Sequence, residues 1–295
     1  MSNVIKHTKA DRVFTVISYL VILLVMIITI YPLYYVLIVS ISDGVAVSYG
    51  KVNFYPIGIN FGAYEEVFQY PRFFTSYRNT IVYTLIGTLV NLTMSSLCAY
   101  PLSRKNFYGR NVFSILIVIT MFFSGGLIPS YMLVRALGLL DTMWALILPG
   151  AINTWNMIVM RTFFQSIPDD LYESASLDGA NEAQVLWKIV LPLSGPIFST
   201  MAIFYAVGHW NSYFNALIYL TDNDKFPLQL ILRSVVLVGE STSNAGKQVT
   251  SSSLHVLGIN IKYATIVVAV LPILAIYPFF QRYFVKGMMV GALKG

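Results

Sequence analysis

From Val13 to Ile41 the chain runs without one charged side chain. A bilayer core is about 30 Å thick and a helix rises about 1.5 Å per residue, so roughly 20 apolar residues suffice to cross it. The run is long enough to cross with tilt. It is also far longer than the roughly 7–15 apolar residues of a cleavable leader, so it reads as an uncleaved first helix. Inside lipid, backbone amides must be satisfied internally, and an uninterrupted apolar run of this length does so as a helix. The rest of the chain repeats the pattern. Hydrophobic residues make up 57% and charged residues 11% of the whole, against roughly 25% charged in ordinary soluble domains. The expected fold is all-α: a polytopic membrane protein forming one domain over residues 1–295.

The first span is set at about 13–41, and five more are expected at about 79–103, 112–134, 143–160, 197–220 and 264–280. The third is interrupted by Ser124-Gly125-Gly126 and by Pro129; irregular backbone at membrane depth survives only where protein or a cavity covers it. Six spans put both termini on one side. The short turn from Arg104 to Arg110 carries three cations, Arg104, Lys105 and Arg110, and positive charge in short loops marks the cytoplasmic face. Both termini are therefore expected in the cytoplasm with the loop 166–196, and the segments 42–76 and 221–263 outside. The formal charge of +6 is explained by cations at such boundaries and calls for no nucleic acid. The single Cys98 excludes an intramolecular disulfide, and three scattered His offer no metal-ligand spacing. Every charged residue can be assigned to a loop or a span boundary, which disfavours a proton-coupled carrier. A sodium-coupled carrier built on backbone carbonyls survives that test.

Residues 166–196 break the apolar pattern. The stretch SIPDDLYESASLDGANEAQVLWKIVLPLSGP holds five acids (Asp169, Asp170, Glu173, Asp178, Glu182) against one base, Lys188. Local chemistry reads it as two short helices joined by a turn. Ser166 is placed to cap the first, with Asp169 three residues on and Pro168 in the first turn. Gly179 suits its end, because it takes the left-handed conformation without a Cβ clash. Asn181 restarts with Gln184 three residues later, and Ala183, Leu186, Ile189 and Val190 supply an apolar face. Pro192 is expected to stop it.

The order of these residues resembles the EAA loop of binding-protein-dependent ABC importer permeases. Glu173-Ser174-Ala175 stands where that family has Glu-Ala-Ala, with Ser174 a small-for-small departure. Asp178-Gly179-Ala180 follows after two residues, and Ile189-Val190-Leu191-Pro192 after eight more. The resemblance implies a permease fold with this loop as its cytoplasmic coupling helix. Glu173, Ser174, Ala175, Asp178, Gly179, Ala180, Leu191 and Pro192 would couple it to an ATPase. It also implies a pore-forming subunit rather than an enzyme, with no catalytic residue, metal or cofactor on this chain. ATP and magnesium would sit on two partner ATP-binding subunits. In agreement, the nearest phosphate-loop lookalike, Gly239–Lys247, fails the required spacing.

The resemblance extends beyond the loop. Ile128-Pro129-Ser130-Tyr131-Met132-Leu133-Val134, Leu137-Gly138-Leu139 with Asp141-Thr142, and Trp210-Asn211 are similar to the carbohydrate-uptake branch of these permeases. Along nearly its whole length the chain is most similar to the second permease of lipoprotein-associated polysaccharide transporters, with alginate-type importers among the relatives. This implies oligosaccharide import, acidic polysaccharide fragments included, across a bacterial plasma (inner) membrane. The implied partners are a homologous second permease in a heterodimer, an extracytoplasmic sugar-binding protein and the surrounding lipid. Charge does not choose the sugar: segment 221–263 carries Lys225, Arg233, Lys247 and Lys262 against Asp222, Asp224 and Glu240.

A substrate path is expected along His209, Trp210, Asn211, Tyr213 and Asn215, with Asn153 and Asn156 in the fourth span as further candidates. Amides and hydroxyls orient sugar hydroxyls, and aromatic faces stack on the rings. The same residues equally suit interhelical hydrogen bonding. Asn211 and Asn215, four apart, are expected on one helix face. Segment 221–263 is too long for a simple connection. Its apolar part, 226–238, is expected to fold back on the membrane domain, and 239–253 to reach the sugar-binding protein. The alternative function is an ion-coupled secondary sugar carrier. Behind it stands a membrane enzyme, for which no Ser/His/Asp set can be placed in one aqueous pocket.

Overall fold

The computed structural model describes residues 9–235, 260–276 and 278, and among them every regular element is helical. The chain divides into two compact units: Met1–Tyr70 with Ser234–Ala269, and Pro71–Arg233 with Val270–Gly295. The stretch 239–253, expected to reach the sugar-binding protein, and the lookalike Gly239–Lys247 lie outside the described residues, as does most of the chain after 276.

The first unit begins with helix α1 (Lys9–Ser40), whose 32 residues bury only Ile38, Val39 and Ser40. Side chains such as Ile28 and Leu33 stay more than half exposed, which is apolar surface that lipid rather than water covers. Thr29 donates back to the Val25 carbonyl at 2.8 Å and so hides its hydroxyl on the helix. After α1 the chain turns sharply. Asp43 accepts from the amides of Val45 and Ala46 and starts the short helix Gly44–Ser48. Ile38, Val39, Ala46 and Val52 close into a small core, against which Tyr35, Ile57 and Tyr263 pack. Asn260 opens the apolar helix Asn260–Ile276 and donates to the Ser42 carbonyl at 2.6 Å.

The second unit is built around helix α2 (Phe73–Ser103). One face of α2 buries Ser76, Thr80, Gly87, Asn91, Ser95 and Ala99. Small and polar groups at such spacing let neighbouring helices approach closely in lipid, where apolar surface alone gives no driving force. Two helices take that face: α5 (Thr154–Phe164) and α7 (Gly195–Trp210). Ser95 and Tyr205 share a hydrogen bond of 2.6 Å between α2 and α7.

Three segments are bent. Helices α3 (Arg110–Phe122) and α4 (Leu127–Ala136) meet at 114° across the Ser124–Gly126 interruption. Met143–Gly150 meets α5 at 53°, and Glu182–Leu193 meets α7 at 83°. Helix α6 (Asp169–Leu177) lies between α5 and the Asn181 restart. Of the stretch 226–238 expected to fold back, the described part to 235 does so: helix 228–235 buries Leu228, Leu230 and Ile231. Its first amide, that of Leu228, bonds the Thr80 hydroxyl of α2 at 2.8 Å.

Candidate functional site

The acidic loop is ordered by its own sequence and then welded into the core. Asp169 and Asp170 occupy the first turn of α6, where carboxylates complement the helix dipole. Ser166 does not cap this helix. Its hydroxyl donates to the Phe163 carbonyl at 2.7 Å and closes the end of α5, while Pro168 stands at the cap position. Gly179 adopts φ +76°. The Ala180 amide then reaches the Ala175 carbonyl at 2.9 Å, satisfying a helix-end acceptor. Asn181 and Gln184 form a reciprocal capping box at 2.8 and 2.9 Å.

The second helix differs from expectation in two respects. Its buried face is Val185, Leu186 and Val190, with Ile189 half-buried, whereas Ala183 is exposed. Pro192 does not stop it: the helix runs to Leu193, after a widened π turn over Leu186–Val190. A proline lacks the amide that would bond the carbonyl four residues back and its ring crowds that carbonyl; the widened turn lies just where that strain falls.

Tyr172 and Ala175 of α6 are buried in a core with Ala99 and Tyr100 of α2, Met160 and Phe164 of α5, and Ile197 and Met201 of α7. Ala180 and Leu191 are half-buried at its edge. The opposite face of the loop presents Glu173, Ser174, Asp178, Gly179 and Pro192. Leu177 projects from the tip with 89% of its surface exposed. Glu173 and Ser176 also border an open polar cavity of about 340 Å³, whose other walls include Arg104, Lys105 and Asn106. Lys105 bonds Asp169 at 2.7 Å and holds that carboxyl below its usual range. The Arg104 guanidinium lies 3.7 Å from the centre of the Tyr172 ring, and burial raises the Tyr172 phenol.

The expected path residues fall into three settings. His209 turns inward, its Nε2 2.5 Å from Asn91 Oδ1, and a Cβ placed on Gly87 would stand 2.5 Å from the same nitrogen. Trp210 is buried edge-on to Tyr77, with ring centres 5.9 Å apart. Asn153 caps α5 by accepting the Asn156 amide at 3.0 Å, and Asn156 itself is buried.

The third setting is the break at 211–213. Helix α7 ends at Trp210, and Asn211 donates to the Val207 carbonyl at 2.9 Å. Asn215 lies in a separate short helix, Phe214–Tyr219, so the spacing of four does not put the two amides on one helix. Asn211 and Tyr213 are exposed and Asn215 is half-buried.

The sequence reading did not give the partners of two residues that organise these places. Asn91 donates to the Gly150 and Ala151 carbonyls at 2.6 and 2.9 Å. These acceptors are freed by the bend before α5, and unsatisfied carbonyls at membrane depth cost several kcal/mol by transfer estimates. A polar residue amid an apolar run was the available signal. Asp141, in the left-handed region at φ 59°, accepts from the amides of Thr221 and Asp222 and from Lys225. The hydrogen bond from Lys225 is the main cause that pulls the Asp141 carboxyl far down, and Asp141 in turn raises Lys225.

Comparison with known proteins gives a consistent likeness. The family model described as binding-protein-dependent transport system inner membrane component matches residues 74–290. The chain is 44% identical over 289 residues to the LplC protein of Bacillus subtilis (strain 168), covering 98% of this chain and 97% of that protein. It is 41% identical over 285 residues to YtcP of the same organism, a polygalacturonan/rhamnogalacturonan transport system permease protein, covering 97% and 99%. Among solved structures, it superposes with a TM-score of 0.83 and 35% identity on a chain from a bacterial ABC transporter that imports the acidic polysaccharide alginate. That match covers 94% of this chain and 99% of the other.

Proposed function

Because the chain belongs to the family of binding-protein-dependent transport system inner membrane components, which are ABC permeases, we propose that it is one of two permease subunits of an oligosaccharide importer. Its loop 166–196 faces the cytoplasm and docks on a partner ATPase through Glu173, Leu177, Asp178 and Gly179. An extracytoplasmic protein delivers the sugar, and ATP is hydrolysed on two partner subunits. The proposed cargo is a fragment of an acidic polysaccharide. The observation carrying this reading is the near full-length similarity to YtcP and to the alginate transporter chain.

Within this reading the exposed break at 211–213 is the part of the path that meets sugar, with Tyr213 as an aromatic platform and Asn211 and Asn215 beside it. His209 and Asn91 keep the surrounding helices in register. The test is uptake into proteoliposomes that hold the chain with its second permease, the ATPases and the binding protein. Uptake of an oligouronide that stops when ATP is withheld supports the reading. Uptake driven by a sodium or proton gradient without ATP would replace it with the ion-coupled carrier, and uptake of neutral oligosaccharides alone would remove the acidic cargo.

A further inference from the structure

The loop 166–196 is gripped by the end of α2. Within the last turn of that helix and the residue pair that follows it, three side chains reach the loop at three separate points. Tyr100 donates its hydroxyl to Glu182, at the start of the second loop helix. Arg104 lies over the Tyr172 ring in the middle of α6 at 3.7 Å. Lys105 bonds Asp169 in the first turn of α6 at 2.7 Å. Contacts at three separate points hold a body more firmly than one, and these span both loop helices. The ring of Tyr172 is 5% exposed and belongs to the same apolar core as Ala99 and Leu102 of α2, so the contact is backed by packing.

We propose that Tyr100, Arg104 and Lys105 are positioning residues that clamp the coupling loop to α2, so that displacement of the loop by the ATPase is delivered to α2 as a rigid movement. The inference rests on the coupling role proposed above. The alternative is a loop that slides over the end of α2 and pushes mainly on its covalent neighbours α5 and α7. The three contacts are unequal. A half-buried arginine over a buried aromatic ring is worth more than an exposed ion pair, because water screens the latter. The side chains of Lys105 and Asp169 are 76% and 57% exposed, so Arg104–Tyr172 is the principal grip.

The assembled importer in proteoliposomes provides the test, read as sugar imported per ATP hydrolysed, with retention of the ATPases measured on the same samples. Arg104→Gln and Tyr172→Leu are expected to lower that ratio about tenfold, within the range typical of coupled sites, while ATP hydrolysis continues. Tyr172→Phe keeps the ring under Arg104 and is expected to keep the ratio. Lys105→Asp is expected to lower it only about two- to threefold, as suits an exposed pair, and the swap with Asp169→Lys to restore it.

Should Tyr172→Leu fail to assemble, Arg104→Gln and the charge swap decide. An unchanged ratio in both Arg104→Gln and Lys105→Asp, with Glu173→Lys still uncoupled, overturns the clamp and leaves the coupling reading standing. If Glu173→Lys is also silent, the coupling reading itself is lost.

Discussion

At one end of α2, Asn79 donates to the main-chain carbonyls of Asp224 and Phe226, and Tyr83 to that of Lys225. At the other end, Tyr100, Arg104 and Lys105 meet the side chains of Glu182, Tyr172 and Asp169. Both ends hold a loop, but with different dependence on sequence. A backbone carbonyl is present whatever residue carries it, so these three bonds do not depend on which side chains the 221–226 loop carries, although the Arg72–Asp224 and Asp141–Lys225 pairs beside them do. The loop 166–196 stays gripped only while both partners of each pair keep their chemistry. The first end therefore behaves as a fixed anchor and the second as a joint whose strength can be tuned.

The sharpest break in this contrast comes at the joint. Glu173→Lys is expected to abolish stimulation of ATP hydrolysis by the sugar-loaded binding protein, with the permease still in the membrane. Gly179→Leu should weaken it for a different reason. There is open space around Gly179, so the cost is the left-handed backbone alone, about 1–2 kcal/mol. Normal uptake in both variants would show that the loop end does no coupling.

On the proposed clamp, α2 carries movement between its two ends only if it stays packed on α7. Gly87→Ala drives a Cβ into the His209 ring and should destabilise the complex by about 1–3 kcal/mol. Adding His209→Ala should recover much of that loss, because the two changes share one contact. Thermal unfolding of the two single variants and the double variant measures the coupling. Strictly additive effects would place the two residues apart.

The anchor end should respond least. Asn79→Ala removes donors but leaves the loop's carbonyls near the surface, and a loss of about 0.5–1.5 kcal/mol is expected from thermal unfolding. Its ion pair should be silent across the physiological range. Asp141 is depressed, so its contribution is present above the ordinary carboxylate value of 3.8 and lost as pH falls through its lowered value. Lys225 is raised, so its contribution is present below 10.5 and lost as pH rises through its raised value. Stability attributable to Asp141–Lys225, taken as the difference from Asp141→Asn, should be flat from about pH 5 to 9. A step within that window would point to a different partner for Asp141.

The sequence by itself determined the helical class, the membrane solvent and the local shape of the acidic loop. Apolar run length forces helices in lipid, and Gly179, Asn181 and Gln184 act on amides within a few residues of themselves. Family membership was legible for the same reason, since Glu173, Asp178 and Gly179 stand at fixed spacing in one short stretch. Even among close neighbours, local rules chose wrongly where two local options compete. Ser166 bonds backward to Phe163, the helix passes through Pro192 by widening, and Asn211 and Asn215 are parted by the break at 211–213. Only the tertiary structure decided that Asn91 satisfies the carbonyls at Gly150 and Ala151, that His209 fills the space left by Gly87, and that Arg104 covers Tyr172. Each of these joins groups about sixty or more residues apart, and whether a polar group in lipid meets such a partner is set by helix packing, to which hydropathy and spacing are blind.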